Sequence, residues 1–435
     1  MQNVIIKSNP KDQLVIKCWI VAMLALGFVV SVTIPKLAIS KLGELGYGVY
    51  GLIVGFSGIL AFADLGLIPG LTRELAKPLA TGEQVHVEAV LRRLDRLVLG
   101  LSLCLASACL ILMYYSIPVF NKQAVHALVI FSVATFYTCR ADIRAALLRV
   151  SGAIVESYIL RGLYLVVYLT TVVALYYFVD RWNGIALVCY AQLLAAVVYY
   201  TFIKNSLGRH LVASSLSKGE SAASADTANF WKEAWRVSSP ERLNRVIQLT
   251  VSAIERPLLI VTAGLAMVTS YDLLMRLLMF VSAVPGALSQ PLQAMLLHDS
   301  VRPQSSRRFP MALRLTKIVG ALCAVAGLIV AVVILVFFHQ ALFHVPSRLP
   351  LFVGVLLAVV AAVNVQTAPG SAALLAKGVV GPISRKLYVE TSGVVLGFIA
   401  ALWLRDGLVF IVVRNAALGL SAVGFLLAEK HWRDG

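Results

Sequence analysis

The chain has 435 residues, 60% of them apolar and 14% charged, with a formal net charge of +17 and a mean hydropathy of +0.86. Those values exclude an ordinary soluble globular protein. They point to a polytopic membrane protein, in which the basic excess is a matter of insertion topology and anionic lipid, with no nucleic-acid partner expected.

A bilayer core takes roughly 20 apolar residues per helical span. The chain offers about twelve such stretches, near 14–35, 45–68, 97–117, 123–140, 158–179, 184–203, 240–263, 268–296, 317–338, 349–376, 382–404 and 407–428. They are continuously apolar, whereas barrel strands alternate over about ten residues, so the fold class is all-α. The first run lacks a small-residue cleavage site and is too long for a signal-peptide core, so it reads as the first helix. The six cysteines, Cys18, Cys104, Cys109, Cys139, Cys189 and Cys323, fall in the spans without metal-type spacing and read as reduced packing residues.

Lys and Arg alternate between the connections. One set of loops carries about 28, among them Arg92, Arg93, Arg140, Arg144 and Arg149; the other carries about six, including Lys36, Lys122 and Arg405. The positive-inside rule then puts both termini in the cytoplasm with an even number of spans. The longest connection, 204–239, follows the sixth span, and its Ser/Ala-rich middle, "ASSLSKGESAASADTAN", has linker composition. It divides the chain into an N-terminal six-helix bundle (1–203), a cytoplasmic linker (204–239) and a C-terminal six-helix bundle (240–435). Trp231 and Trp235 in "FWKEAWRV" share one helix face, which suits either an interfacial helix or an extension of the seventh span.

The halves echo each other. Pro35, Gly43 and Tyr50 recur as Pro257, Gly264 and Tyr271, with the same Gly-to-Tyr spacing, at the outer end of the first helix of each half. Two bundles of one orientation around a central cleft is the arrangement of an alternating-access transporter.

Charges inside the spans are the candidate functional residues. A charge at a helix centre costs about 2.5–3.5 kcal/mol, whereas each large aliphatic residue returns about 0.3–0.6. The seventh span gains roughly 5 kcal/mol from about ten apolar residues and loses about as much to Glu255 and Arg256, so both must face protein or water. Arg276 in the eighth span lies at a similar depth, about 12 Å from the external turn, with Asp272 one helical turn before it. Glu255, Arg256, Asp272 and Arg276 are therefore expected to form one polar cluster, either a self-satisfied ion-pair network or an anion or ion site. Arg414 is near mid-depth of the twelfth span and is a further cleft candidate. Arg161 lies one turn inside the fifth span, where snorkelling is the alternative. Asp64 and Glu390, near span ends, are candidates for carrying a coupling ion, with helix-end solvation as the alternative. Pro285 and Pro291 in "AVPGALSQPLQ", and Pro369 in "NVQTAPG" with Asn364, Gln366 and Thr367, are candidate hinges, because proline frees backbone carbonyls.

The stretch "TIPKLAISKLGELGYGVYGLIVGFSGILAFADLGLIPGLTRELAK" (33–77) resembles the start of the lipid-linked oligosaccharide (O-antigen unit) flippases, in the polysaccharide branch of the multidrug/oligosaccharidyl-lipid/polysaccharide exporter superfamily. The matching features are Ile34-Pro35, Lys36/Lys41, Leu42-Gly43, Tyr47-Gly48, Asp64-Leu65-Gly66 and Arg73-Glu74. "IRAALLRVSGAIVESYILRGLYLV" and the acidic-basic pair before "SYDLLMR" are also similar, with Glu255-Arg256 where Asp-Arg is common in the family. The resemblance implies a MATE-like, two-lobed protein of twelve helices in the bacterial inner membrane. It implies a non-enzymatic flippase that turns an undecaprenyl-pyrophosphate-linked glycan, an O-antigen or other surface polysaccharide or lipopolysaccharide unit, to the periplasmic leaflet. No cofactor is expected, H+ or Na+ is the implied coupling ion, and polymerase and export machinery are the implied partners.

Arginine suits the anionic pyrophosphate of such a carrier, since its planar fork matches phosphate oxygens bidentately. A drug or cation antiporter of the same superfamily is the nearest alternative, although it would favour acidic residues in the cleft. A peptidoglycan-precursor flippase is longer by about two spans, and a membrane glycan polymerase or ligase carries a larger external loop than this chain offers.

Overall fold

The computed structural model describes residues 10–56, 66–81, 84–116, 122–178, 185–215, 227–276, 350–367 and 379–433, together with isolated positions between them. Every regular element among these residues is helical. The first half comprises α1 (Pro10–Gly55), α2 (Ile68–Thr81), α3 (Gln84–Ser116), α4 (Lys122–Val150), α5 (Ile154–Phe178) and α6 (Ala186–Ser215). The second comprises α7 (Thr227–Val237), α8 (Ser239–Ala263), a helical segment over 265–276, α9 (Leu351–Val365), α10 (Gly381–Leu404) and α11 (Gly407–Arg433).

Seven of the described helical stretches are long and apolar enough to cross a membrane. Helix α8 occupies the expected seventh span and carries Glu241, Arg242, Arg245, Glu255 and Arg256, with Glu255 and Arg256 buried against protein. The expected second, eighth, ninth and tenth spans fall partly outside the described residues.

Two apolar cores hold the halves. One is built from α1 to α6 around Tyr50, Ile53, Leu75, Phe131, Leu148 and Tyr199. The other joins α8, 265–276, α9, α10 and α11 around Leu259, Tyr271, Leu357, Phe410 and Ile411. Between helices in lipid no hydrophobic force operates, so close packing of small residues takes over. On α10, a methyl placed at Gly397 would stand 3.2 Å from the carbonyl oxygen of Phe410 and 3.5 Å from the backbone nitrogen of Arg414. That close approach fixes the depth and rotation of α11.

The echo between halves is present in the backbone. Gly43 breaks α1 with φ 71° and ψ 175°, and Gly264 ends α8 with φ 83° and ψ 170°. This region of φ/ψ is open essentially to glycine alone, so both bends depend on the missing Cβ. Seven residues beyond each bend stands a tyrosine, Tyr50 or Tyr271, buried in the core of its half.

The connection after the sixth span is shorter than its composition suggests. Residues 204–215 continue α6, and α7 begins at Thr227. Helix α7 lies against α2, with Phe230, Ala234 and Val237 buried. Its helical ladder carries on into α8 through Ser238, which bonds to the Ala234 carbonyl and accepts from the Arg242 amide. Ser238 also joins the two halves at this end. Its hydroxyl accepts from the Gly70 amide at 3.0 Å and donates to the Leu67 carbonyl at 3.2 Å.

Candidate functional site

Adjacent residues on a helix diverge by about 100°, so neighbouring charges there do not face each other. Glu255 and Arg256 obey this rule. Glu255 points to α11, where Arg414 Nη1 donates to Glu255 Oε1 at 2.8 Å. Arg256 points to the segment 265–276, where its Nη2 meets Asp272 Oδ1 at 3.3 Å. Asp272 is shared: Arg276, one turn further along the same helix, donates from Nε to Oδ2 at 2.7 Å. A third donor arrives from the other half of the chain, the Tyr47 hydroxyl at 2.9 Å from Asp272 Oδ2.

Helix α1 reaches this cluster because its face is stripped of side chains. Gly48, Gly51 and Gly55 follow one another along "GYGVYGLIVG", and each abuts the C-terminal half. A methyl at Gly48 would lie 2.8 Å from the Leu265 carbonyl, at Gly51 3.3 Å from Asp272 Cβ, and at Gly55 2.6 Å from Arg256 Nε. Thr269 adds a hydrogen bond of 2.9 Å to the Glu44 carbonyl on the same seam. The tyrosines of that stretch face the arginines, with the Arg276 guanidinium 5.4 Å from the Tyr50 ring centre and 6.0 Å from that of Tyr47. These are cation–π distances.

Five charges within the spans thus meet as a pair and a triad, with Glu255, Arg256 and Asp272 buried and Arg276 and Arg414 partly buried. Three guanidinium groups stand against two carboxylates, so with all ionised one positive charge is left over. The donors are also in excess: Arg256 Nε and Arg276 Nη2 are buried without a hydrogen-bond partner. A buried orphan donor costs about 1–3 kcal/mol, so an anion or water that accepts from both would relieve the site.

Arg161 lies elsewhere. Its Nη1 meets Asp142 Oδ1 at 3.0 Å, Asp142 also accepts from the Tyr199 hydroxyl, and the guanidinium lies over the Tyr164 and Tyr199 rings. A run of tyrosines links it to the cluster. Tyr164 stacks on Tyr168, the Tyr168 and Tyr50 hydroxyls are 3.2 Å apart, and Tyr50 underlies Arg276.

Glu390 is buried in the C-terminal half, where it accepts from the Ser421 hydroxyl at 3.0 Å and pairs with Lys386 at 3.4 Å. Helix-end solvation therefore does not describe it. Asp64, Pro285, Pro291 and Pro369 lie outside the described residues. Sequence reading marks Tyr50 in the echo between halves and Tyr47 in the resembling stretch, but places neither at the charge cluster. It does not single out Asp142, and Lys386 reads as one more cytoplasmic loop charge.

Outside the spans, the Glu74 carboxyl is held above the ordinary carboxylate range, chiefly by burial of the α2 surface and against the opposing pull of Arg73. Glu233 on α7 is held below that range by the hydrogen bond from Arg236.

Neither the protein-family models nor the curated proteins gave a match to the chain. Solved structures did. A multidrug resistance MATE family transporter of the MOP superfamily, in an inward-facing conformation, aligns with a TM-score of 0.64 at 15% identity, covering 95% of this chain and 97% of its own. A MOP superfamily transporter from Pyrococcus furiosus, described as having a binding pocket of reverse polarity, aligns with a TM-score of 0.66 at 16% identity, covering 96% and 95%. A point mutant of the Vibrio cholerae MATE transporter VcmN aligns at 0.59 and 13% identity, covering 97% and 95%. At such identities the likeness is one of fold: the chain is an all-α polytopic membrane protein with the two-bundle, MATE-like architecture expected of about twelve spans.

Proposed function

We propose that the protein is a flippase that moves an undecaprenyl-pyrophosphate-linked oligosaccharide, an O-antigen or similar repeat unit, from the cytoplasmic to the periplasmic leaflet of a bacterial inner membrane. The observation that carries this reading is the surplus of buried guanidinium donors at Arg256 and Arg276 in a site of three arginines and two acids. A pyrophosphate offers many acceptor oxygens and negative charge, the two things the site lacks. The likeness of fold to MOP superfamily transporters supports alternating access, with the polyprenyl tail remaining in lipid while the polar head crosses. The basic residues of alternate loops support cytoplasmic termini. An ion gradient supplies the energy.

The likeness to multidrug transporters favours a second reading, a drug or cation antiporter. Both acids of the cluster are already engaged by arginine, which leaves a cationic drug no free carboxylate there. Deletion of the gene separates the readings. The flippase reading expects lipid-linked oligosaccharide to accumulate on the cytoplasmic side and surface glycan to be lost. Drug sensitivity with intact glycan would establish the antiporter instead.

A further inference from the structure

The motif "NVQTAPG" breaks α9 at a place where the C-terminal half is otherwise apolar. Helix α9 ends at Val365, and the Gln366 amide turns back to the Val363 carbonyl at 3.1 Å. The turn leaves two side-chain oxygens, Asn364 Oδ1 and Thr367 Oγ1, directed at α10. Both are taken up by one group: Lys386 Nζ lies 2.8 Å from Asn364 Oδ1 and 3.0 Å from Thr367 Oγ1. The Glu390 carboxylate, one turn along α10, stands 3.4 Å from the same nitrogen. Ser421 of α11 closes the far side by donating to Glu390 Oε1 at 3.0 Å. Two helices thus supply the partners of one ammonium, and a third holds the carboxylate from behind.

The arrangement differs from a helix-surface ion pair. Lysine preceding glutamate at i,i+4 is the less favourable order, so local helix geometry does not account for the pair. The environment does. An ammonium has three protons and no acceptor, and here it meets an amide oxygen, a hydroxyl oxygen and a carboxylate in a pocket where Glu390, Thr367 and Lys386 are nearly inaccessible. The Thr367 hydroxyl gives its proton to the Asn364 carbonyl at 2.7 Å, so its lone pairs are what Lys386 sees. Neutral oxygens with a single carboxylate are the ligand set of a hard cation, and one negative charge suits a charge of +1.

We propose that Asn364, Thr367 and Glu390, backed by Ser421, form a monovalent-cation site whose resident cation is the tethered ammonium of Lys386. Free sodium or potassium is kept out of this pocket as long as Lys386 is in place. The consequence is an ion preference written into the C-terminal half: the wild-type protein takes no alkali cation here, and loss of the lysine creates a site for one. The inference stands apart from the flippase reading, because it concerns ion binding by the purified protein and holds for any substrate.

The test is thermal unfolding of the purified full chain in detergent, in sodium, potassium or choline chloride at equal ionic strength. The response of wild type to each salt reports any cation site elsewhere in the chain and is the baseline. Lys386→Ser should unfold earlier in choline and recover by about 3 °C or more in sodium or potassium, by preferential binding to the folded state. The double variant Lys386→Ser/Glu390→Gln, neutral at both positions, should lose that response. If Lys386→Ser is recovered folded only when purified in sodium or potassium, the site is present. Two results overturn the proposal: a loss in Lys386→Ser that no alkali cation returns beyond the wild-type response, or failure of that variant to fold in every salt. Either would make the cluster a structural ion pair only.

Discussion

Arg414 reaches from α11 to Glu255 on α8 at 2.8 Å, while Arg256, the residue next to Glu255, turns away to Asp272. The two adjacent charges therefore belong to two different pairs. Removing one member of a buried pair costs about 3–5 kcal/mol, because the other is left uncompensated. Arg414→Leu alone should destabilise the protein strongly, and Arg414→Leu/Glu255→Leu should recover most of that loss in a thermal melt. Glu255→Leu/Arg256→Leu, which breaks both pairs, should not recover it. Equal stability of the two double variants would refute the pairing.

The same geometry separates stability from transport. Arg256→Ala, Arg276→Ala and Arg414→Ala should each abolish glycan export while the protein still inserts in the membrane. Normal surface glycan in all three, with expression checked by immunoblot, would remove the cationic site from the mechanism.

How far the site can be read from sequence follows from what helices encode. Depth is legible, since rise per residue is fixed, and it groups Glu255, Arg256, Asp272 and Arg276 without any structure. Rotation is not legible, because spans apolar on all sides carry no preferred face. That is why Arg414 stands alone in the sequence and why Glu255 looks like the partner of Arg256. Glycine is legible twice over. Gly43 and Gly264 mark the echo in sequence, and the structure gives both the same positive-φ bend. The Lys386 pocket is half legible: Asn364, Thr367 and Glu390 stand out by residue type, but their convergence on Lys386 depends on how two helices are rotated against each other.

Those two glycine bends carry a matched prediction. A non-glycine residue in this backbone region costs about 1–3 kcal/mol. Nothing lies within 4 Å of a methyl at either position, so the strain is in the backbone and not in a clash. Gly43→Ala and Gly264→Ala should therefore lower stability by similar amounts, about 1–3 kcal/mol each, in reversible unfolding. A large asymmetry between them would count against equivalent bends.

Glu74 gives a pH dependence at the contact of α2 with α7. Its folded-state pKa is raised, mainly by burial, above the ordinary value of 4.5. The folded state then binds the proton more tightly than the unfolded one. The contribution to stability is present below the ordinary value and is lost as pH rises through the raised value. Hydrogen exchange at Phe230 to Val237 should accelerate across that window, and Glu74→Gln should flatten the response. Exchange in α7 that rises with pH equally in both proteins, after correction for intrinsic rates, would assign the effect elsewhere.

Gly55 tests whether the position of Arg256 matters to transport apart from its charge. A methyl there would fall 2.6 Å from Arg256 Nε and 2.7 Å from Nη1, closer than any stable contact. The nearest atom is Arg256 Cδ, so most of that side chain must move aside for α1 to keep its place. Movement takes it off Asp272 and out of the shared site. Gly55→Ala should then insert, lose part of the stability that the Arg256–Asp272 pair contributes, and lose export with all three arginines still present. Gly51→Ala, whose methyl would lie 3.3 Å from Asp272 Cβ, asks that neighbour to give by only a few tenths of an ångström and should cost less stability. Full export in a well-folded Gly55→Ala protein would mean that Arg256 serves only to hold the helices together.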